Sequence, residues 1–163
     1  MMGRLYAPWR AAYLMGEHPN GCLFCTLATS AVADDRANFV LERGRDWFVV
    51  INRYPYTTGH VMVVSNRHAE KLGDFANDAG AEMVHLLARC ERAIARAYAP
   101  DGINVGANLG RSAGAGIVGH FHMHLVPRWQ GDTNFMSSVG ETRVVSEDLQ
   151  VTYDRLLRAL GED

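Results

Sequence analysis

The sequence HFHMHLVP at residues 120–127 alternates imidazole side chains with bulky apolar ones. Because successive side chains of a β-strand point to opposite faces, its three histidines would share one face at intervals of about 6.6 Å. The apolar residues between them would then point into a core. A helix would instead scatter the three rings around its axis. The pattern therefore predicts a strand with histidines on one face.

Three clustered imidazoles allow three interpretations, since histidine titrates near neutrality and serves as nucleophile, acid, base or metal ligand. In the first, the middle ring, His122, attacks an electrophile such as phosphorus while its neighbours orient it and handle protons. In the second, the rings bind a catalytic zinc or iron. In the third, they are polar surface groups. The strict alternation beside an apolar face favours the first interpretation.

A glycine-rich segment, NLGRSAGAG at residues 108–116, precedes the histidines. Such a segment can present backbone N–H groups to an anion, because glycine permits unusual dihedral angles and close approach of a ligand. It contains no Walker-type lysine and also fits an ordinary hairpin connection. Its position beside the histidines favours phosphate chemistry.

Composition narrows the possible partners. The 163 residues suit one domain that buries about two-thirds of its unfolded surface. Lys and Arg total 16 against 18 Asp and Glu, which gives no basic field for nucleic acid. The odd count of 3 cysteines argues against a secreted disulfide framework. With no signal-peptide pattern and no apolar stretch of about 18 residues, we expect a cytoplasmic protein without a membrane partner.

The order of elements predicts a single α+β domain. Strands are expected at residues 39–41, 47–51, 61–64, 103–108 and 120–128, and helices at residues 78–98 and within 146–163. Residues 1–20 are expected to form an irregular N-terminal segment. This pattern indicates an antiparallel five-stranded sheet with two main helices covering one side.

The motifs resemble those of a known family. HFHMHLV at residues 120–126 fits the His-φ-His-φ-His-φ-φ signature of the histidine triad (HIT) nucleotide hydrolases and transferases. NRYP at residues 52–55 with GHVMVV at residues 59–64 resembles that family's second conserved block. The resemblance covers the chain from about residue 22 onward. It implies one HIT domain over residues 1–163, a homodimer whose two sheets join, and attack on the α-phosphorus of a nucleotide.

The resemblance also implies roles for individual residues. His122 would form a transient nucleotidyl–histidine intermediate, and His124 would contact the phosphate and support the nucleophile. His60 matches the family's additional histidine, and Asn52 matches the position that contacts the ribose. Asn108 lies near the family's phosphate-side polar residue.

One position departs from the family pattern. Gly116 stands where many relatives carry glutamine, serine or threonine, so backbone N–H donors would replace a side-chain contact to the leaving group. We also expect a carbonyl of the preceding strand, near Gly106 or Asn108, to accept a hydrogen bond from the nucleophilic ring and so aim it.

Two further segments, YAPWR at residues 6–10 and PRWQGDTNFM at residues 127–136, look like a microbial branch of the family associated with diadenosine tetraphosphate. Trp129 either stacks on an adenine or packs beside the strand. Arg128 and Asn134 are candidates to reach the polyphosphate, with which Mg²⁺ is a candidate cofactor. We expect a hydrolase, with phosphorolysis by inorganic phosphate as the alternative. A metal-dependent hydrolase and a non-catalytic nucleotide-binding protein are further alternatives.

Cys22 and Cys25 form a C-x-x-C pair whose spacing alone fits half a zinc site, a redox pair or two small hydrophobes. In several bacterial histidine triad proteins, and in the similar galactose-1-phosphate uridylyltransferases, such a pair binds structural zinc with two histidines. The matching positions here are His68 and His120. The resemblance therefore implies a structural zinc site that keeps His120 out of the chemistry.

Overall fold

The computed structural model describes residues 21–75, 78–132 and 147–162. Its strands are β1 Val40–Arg43, β2 Trp47–Ile51, β3 Val61–Ser65, β4 Gly102–Gly106 and β5 His122–Arg128. Its α-helices are α1 Leu23–Thr29, α2 Asp35–Asn38, α3 Asp78–Tyr98 and α4 Leu149–Gly161. All strand pairs are antiparallel in the order β1-β2-β3-β5-β4. The predicted five-stranded α+β architecture is confirmed, and the expected irregular segment 1–20 lies outside the described residues.

The long helices cover one face of the sheet. The largest cluster of buried side chains joins residues of α3 and α4 to alternate strand residues, among them Met83, Leu86, Ile94, Tyr153, Leu156, Trp47, Val49, Val63, Phe121 and Leu125. The indole N–H of Trp47 also donates to the carbonyl of Ala79 at 2.7 Å. Burial of this apolar area holds the two helices on the sheet.

A short helix covers the opposite face, which the expectation of helices on one side missed. Phe24 and Leu27 of α1 are buried against strand residues that face away from the long helices, namely Val40, Phe48, Val50, Met62 and Val64. With only seven residues, α1 is too short to leave a clear helical period in the sequence. The missing signal explains the error.

Arg43 of β1 fastens α1 in place. Its guanidinium donates to the carboxylate of Asp35 at 2.6 Å and to the carbonyls of Leu27 and Ala28 at 3.2 and 3.3 Å. These carbonyls lie at the C-terminal end of α1, where a cation is favourable.

Among the helices that the structure describes, none has both the length and the apolar character needed to cross a membrane.

Candidate active site and metal centre

The histidines of β5 lie on the face covered by α1. His122 pairs with Val64 and His124 with Met62, and directly opposite residues of an antiparallel pair point to the same face. The two rings are buried, and their centroids are 4.9 Å apart. His60, just before β3, is fully buried, with its ring centroid 5.1 Å from that of His124. The fold therefore brings His60, His122 and His124 together.

The hydrogen bond of His122 fixes which ring nitrogen can react. Its Nδ1 lies 2.8 Å from the carbonyl oxygen of His120. Because a carbonyl oxygen only accepts, Nδ1 carries the proton and Nε2 keeps its lone pair. The expected source of this carbonyl, in the region of Gly106 or Asn108, is wrong. The carbonyl comes instead from His120, two residues before His122 in the chain and just ahead of β5.

Two consecutive hydrogen bonds determine which ring nitrogen of His124 carries the proton. The backbone N–H of Tyr56 donates to Nδ1 of His60 at 3.1 Å, so the proton of His60 is on Nε2. That Nε2 lies 2.9 Å from Nδ1 of His124 and donates to it. His124 is then neutral, with its own N–H on Nε2. The site thus presents a lone pair on His122 and a hydrogen-bond donor on His124.

Burial keeps both rings of β5 in the neutral form. It lowers the pKa of His122, and it lowers the pKa of His124 to about 4, with a smaller contribution from the neighbouring His122. The ring of Phe24 lies 4.9 Å from that of His122, and the ring of Tyr56 stacks on His124 at 5.9 Å. A neutral imidazole at physiological pH is the form that can act as a nucleophile.

Asn52, Asn108 and Gly116 occupy different positions around the histidines. The side-chain amide of Asn52 lies 3.3 Å from Nδ1 of His60. Asn108 and Gly116 lie in the loop between β4 and β5, which leaves the sheet where Gly106 pairs with His124. Their ribose and phosphate roles remain predictions.

Trp129 and Arg128, the candidates to contact the adenine and the polyphosphate, contact other side chains of the protein. Trp129 packs edge-to-face on Tyr98, with centroids 6.5 Å apart, which favours the packing alternative for its ring. Both ends of the Arg128 guanidinium donate to the carboxylate of Asp132, at 2.6 and 2.7 Å. Asn134 lies outside the described residues.

Two aromatic residues beside the histidines were missed from the sequence. Phe24 lies between the cysteines of the C-x-x-C pair, and Tyr56 lies four residues before His60. Neither position carries a periodic signal, because Phe24 is on a short helix and Tyr56 is in a turn. Only the tertiary fold places their rings against the triad.

Four side chains near His122, one of them the first histidine of the triad, form a group that could hold a metal ion. One ligand atom from each of Cys22, Cys25, His68 and His120 lies within 4.8 Å of all the others. Sγ of Cys22 is 3.2 Å from Nδ1 of His120, and Sγ of Cys25 is 3.3 Å from Nδ1 of His68. Typical zinc bond lengths in a tetrahedron require sulfur–nitrogen separations of about 3.6 Å. The four predicted metal ligands thus come together at nearly the spacing that zinc needs.

The donor set also suits a metal. Nε2 of His120 donates to the carbonyl of Ser65 at 2.7 Å, so the lone pair of His120 is on Nδ1, the atom that faces the thiols. A ligating histidine that donates its other N–H to a carbonyl is the usual arrangement in metal sites. These four side chains would supply all four ligands of a tetrahedral zinc ion, which would leave no open coordination position for a substrate.

Comparison with known proteins agrees with this geometry. The model of the HIT domain matches residues 34–131. The chain belongs to the HIT family. Over 155 residues, this HIT protein is 36% identical to the AP-4-A phosphorylase of Mycobacterium tuberculosis, an alignment that covers 91% of this chain and 80% of the relative.

Solved structures of HIT proteins have the same fold. A zinc-bound histidine triad protein from Mycobacterium smegmatis matches with a TM-score of 0.68 and 26% identity, covering 87% of this chain and 94% of the other. A histidine triad nucleotide-binding protein from Sulfolobus tokodaii matches with a TM-score of 0.68 and 22% identity, covering 86% and 93%. At this lower identity the second match supports the fold alone.

Proposed function

We propose that this HIT protein is a nucleotidyl transferase that cleaves diadenosine tetraphosphate at an α-phosphate and passes the nucleotidyl group to inorganic phosphate. The observation that carries the proposal is the hydrogen bond from Nδ1 of His122 to the carbonyl of His120, which leaves Nε2 as a free nucleophile. The likeness to a mycobacterial AP-4-A phosphorylase supports phosphate as the acceptor. It favours the phosphorylase alternative over the hydrolase expected from the sequence.

The reaction proceeds in two displacements. In the first, Nε2 of His122 attacks the α-phosphorus, the bond from that phosphorus to the bridging oxygen breaks, and ATP leaves with the bonding electrons. The nucleotidyl–imidazolium keeps its proton on Nδ1, where the carbonyl of His120 stabilises it. In the second, an oxygen of inorganic phosphate attacks the same phosphorus, the phosphorus–nitrogen bond breaks, and ADP is released.

His124 and His60 stabilise the charge that develops on the phosphorus oxygens. The N–H on Nε2 of His124 is available to donate to one of them, and His60 holds that tautomer in place. A preorganised donor of this kind contributes about 3 kcal/mol to transition-state stabilisation, by analogy with oxyanion holes. Asn52, beside His60, is the candidate for contact with the ribose.

Product analysis tests the reaction directly. The protein is incubated with diadenosine tetraphosphate, with and without inorganic phosphate. ATP plus ADP, formed only when phosphate is present, is the expected result, whereas ATP plus AMP would identify a hydrolase. His122→Ala should abolish turnover and leave nucleotide binding intact, and His85→Ala, on an exposed helix position, should have no effect. Full activity of the His122 variant would contradict covalent catalysis.

We also propose that Cys22, Cys25, His68 and His120 bind a structural zinc ion, as the ligand spacing and the zinc-bound mycobacterial relative support. The ion would cross-link α1 and the turn after β3 to the start of β5. Chelation should therefore lower Tm before it affects chemistry. Cys22→Ser should lose the metal measured by elemental analysis, whereas Cys90→Ala should retain it. Loss of turnover in a chelated protein with unchanged Tm would instead favour the metal-dependent hydrolase.

A homodimer is the assembly we infer. β4 lies at the edge of the sheet, where its outer backbone groups are available to pair with another strand. An apolar groove runs beside it between α3 and β4, lined by Val84, Leu87, Pro100, Ile103 and Val105. Antiparallel pairing of β4 with its copy would join two sheets into one and cover both grooves.

A further inference from the structure

The loop between β4 and β5 (residues 107–121) passes from one face of the sheet to the other. At its start, Ala107 packs against the core beneath the long helices. Near its end, Ile117 packs against the cluster that contains Phe24, on the histidine face. Since Gly106 pairs with His124 and β5 begins at His122, the loop rounds the sheet beside the triad.

Arg111 is the one Asp, Glu, Lys or Arg between Asp101 and Arg128. Its side chain is exposed, and it forms no hydrogen bond or ion pair with any residue in the described part of the chain. It begins a 3₁₀ turn, Arg111–Ala113, between Gly110 and Gly114, whose φ angles are 83° and 91°. The loop therefore presents a cation whose guanidinium is not engaged by any of the described residues.

The histidines of the site, His60, His122 and His124, cannot balance the charge of a polyphosphate. Hydrogen bonding makes His60 and His124 neutral, because Nδ1 of each ring accepts a hydrogen bond and therefore carries no proton. Each phosphate beyond the α-phosphorus adds negative charge that these rings do not neutralise. A cation in contact with the distal phosphates is needed for strong binding.

Two other arginines near these strands are engaged elsewhere. The guanidinium of Arg53 donates to the carbonyl of Ala37 at 3.2 Å and lies over the ring of Phe39. That of Arg128 is held by Asp132. Arg111 is on the segment beside the catalytic histidines and has no such partner within residues 21–75, 78–132 and 147–162.

We propose that Arg111 binds the phosphates beyond the α-phosphorus and so selects substrates by the length of their phosphate chain. The inference rests on the proposed function, because it assigns the distal phosphates of that substrate. Guanidinium–phosphate contacts are charge-assisted, frequently bidentate hydrogen bonds, which lysine reproduces only as a point charge. Arg111 is thus a specificity-determining residue and takes no part in proton transfer.

Binding of two probes tests the assignment without any turnover. Inorganic tripolyphosphate and AMP are titrated calorimetrically into the wild type, Arg111→Ala, Arg111→Lys and the control Arg158→Ala, which removes the same charge from an exposed position of α4. Arg111→Ala should weaken tripolyphosphate binding about ten-fold or more and AMP binding less than about two-fold. Arg111→Lys should recover part of the loss. Equal affinities of Arg111→Ala and the wild type for tripolyphosphate, or an equal loss in the control, would overturn the proposal.

Turnover separates this inference from the proposed function. Diadenosine tetraphosphate is compared with the p-nitrophenyl ester of AMP, which has no distal phosphate. Arg111→Ala should lower kcat/KM about ten-fold or more for the first substrate only. An equal loss on both substrates overturns the role of Arg111, whereas failure of the wild type to cleave diadenosine tetraphosphate overturns the proposed reaction. In that second case the tripolyphosphate titration still decides whether Arg111 binds phosphates.

Discussion

The buried ring of His124 makes the stability of the fold depend on pH. Its pKa is about 4 in the folded protein, against 6.5 for an ordinary histidine. Between these two values the unfolded chain binds a proton that the folded protein does not, so lowering the pH favours unfolding. The contribution of His124 is fully present above about pH 6.5 and is lost as the pH falls towards 4.

The size of the effect follows from the shift. Each unit corresponds to about 1.36 kcal/mol, which sets a ceiling of about 3 kcal/mol for a fully shielded ring. His124 keeps 8% of its surface exposed, so solvent screens part of the charge. We therefore expect a contribution of about 2 kcal/mol to the free energy of unfolding. The groups that face the ring are His60, His122 and Tyr56, of which the nearest is Nε2 of His60 at 2.9 Å.

Urea denaturation of wild type and His124→Gln at pH 7.5 and 4.5 measures this contribution. Glutamine keeps a hydrogen-bonding side chain but does not titrate. The wild type should lose about 2 kcal/mol more than the variant between the two pH values, because the other titrating groups, including the four proposed metal ligands, are common to both. His85→Gln, on an exposed helix position, should behave as the wild type. Equal losses in wild type and His124→Gln would refute the reasoning.

Two further substitutions test the packing and the assembly. Gly59→Ala should destabilise the protein by about 2 kcal/mol in urea denaturation, because φ is 78° and the new Cβ would lie 2.8 Å from the ring of Tyr98; Gly73→Ala, where no atom lies within 4 Å, should cost much less. Val105→Glu should halve the mass measured by light scattering, whereas Val151→Glu, on an exposed face of α4, should not change it. A dimeric Val105 variant would contradict pairing through β4.

The sequence predicted the elements whose patterns repeat. β2 and α3 have the expected bounds, because a continuous run of five apolar residues and an apolar stripe at helical spacing are both strong signals in the sequence. The histidines of β5 were placed on one face by alternation alone. The family resemblance supplied His60, His68 and the cysteines, whose roles no local pattern reveals.

The rest of the site depends on hydrogen bonds that no pattern in the sequence reveals. The carbonyl that orients His122 comes from His120, and alternation does not reveal which carbonyl a ring will meet. β5 begins two residues later than expected, because strand ends are poorly defined by alternation. The bond from Tyr56 to His60 uses a backbone N–H, which any residue type can supply. Arg111 forms no ion pair with the described residues because its loop contains no Asp or Glu. That composition is visible in the sequence, but its meaning depends on knowing the fold.

The hydrogen bond that orients His122 comes from the backbone carbonyl of His120, which lies outside the glycine-rich loop of residues 108–116. Evolution, or an engineer, can therefore exchange residues of that loop to change which leaving group is accepted without misaligning the reactive nitrogen. On the proposed role of Arg111, substrate range and nucleotidyl transfer are assigned to separable parts of the chain. Grafting this loop between HIT proteins should accordingly transfer preference for phosphate-chain length while the rate of nucleotidyl transfer from a minimal ester stays the same.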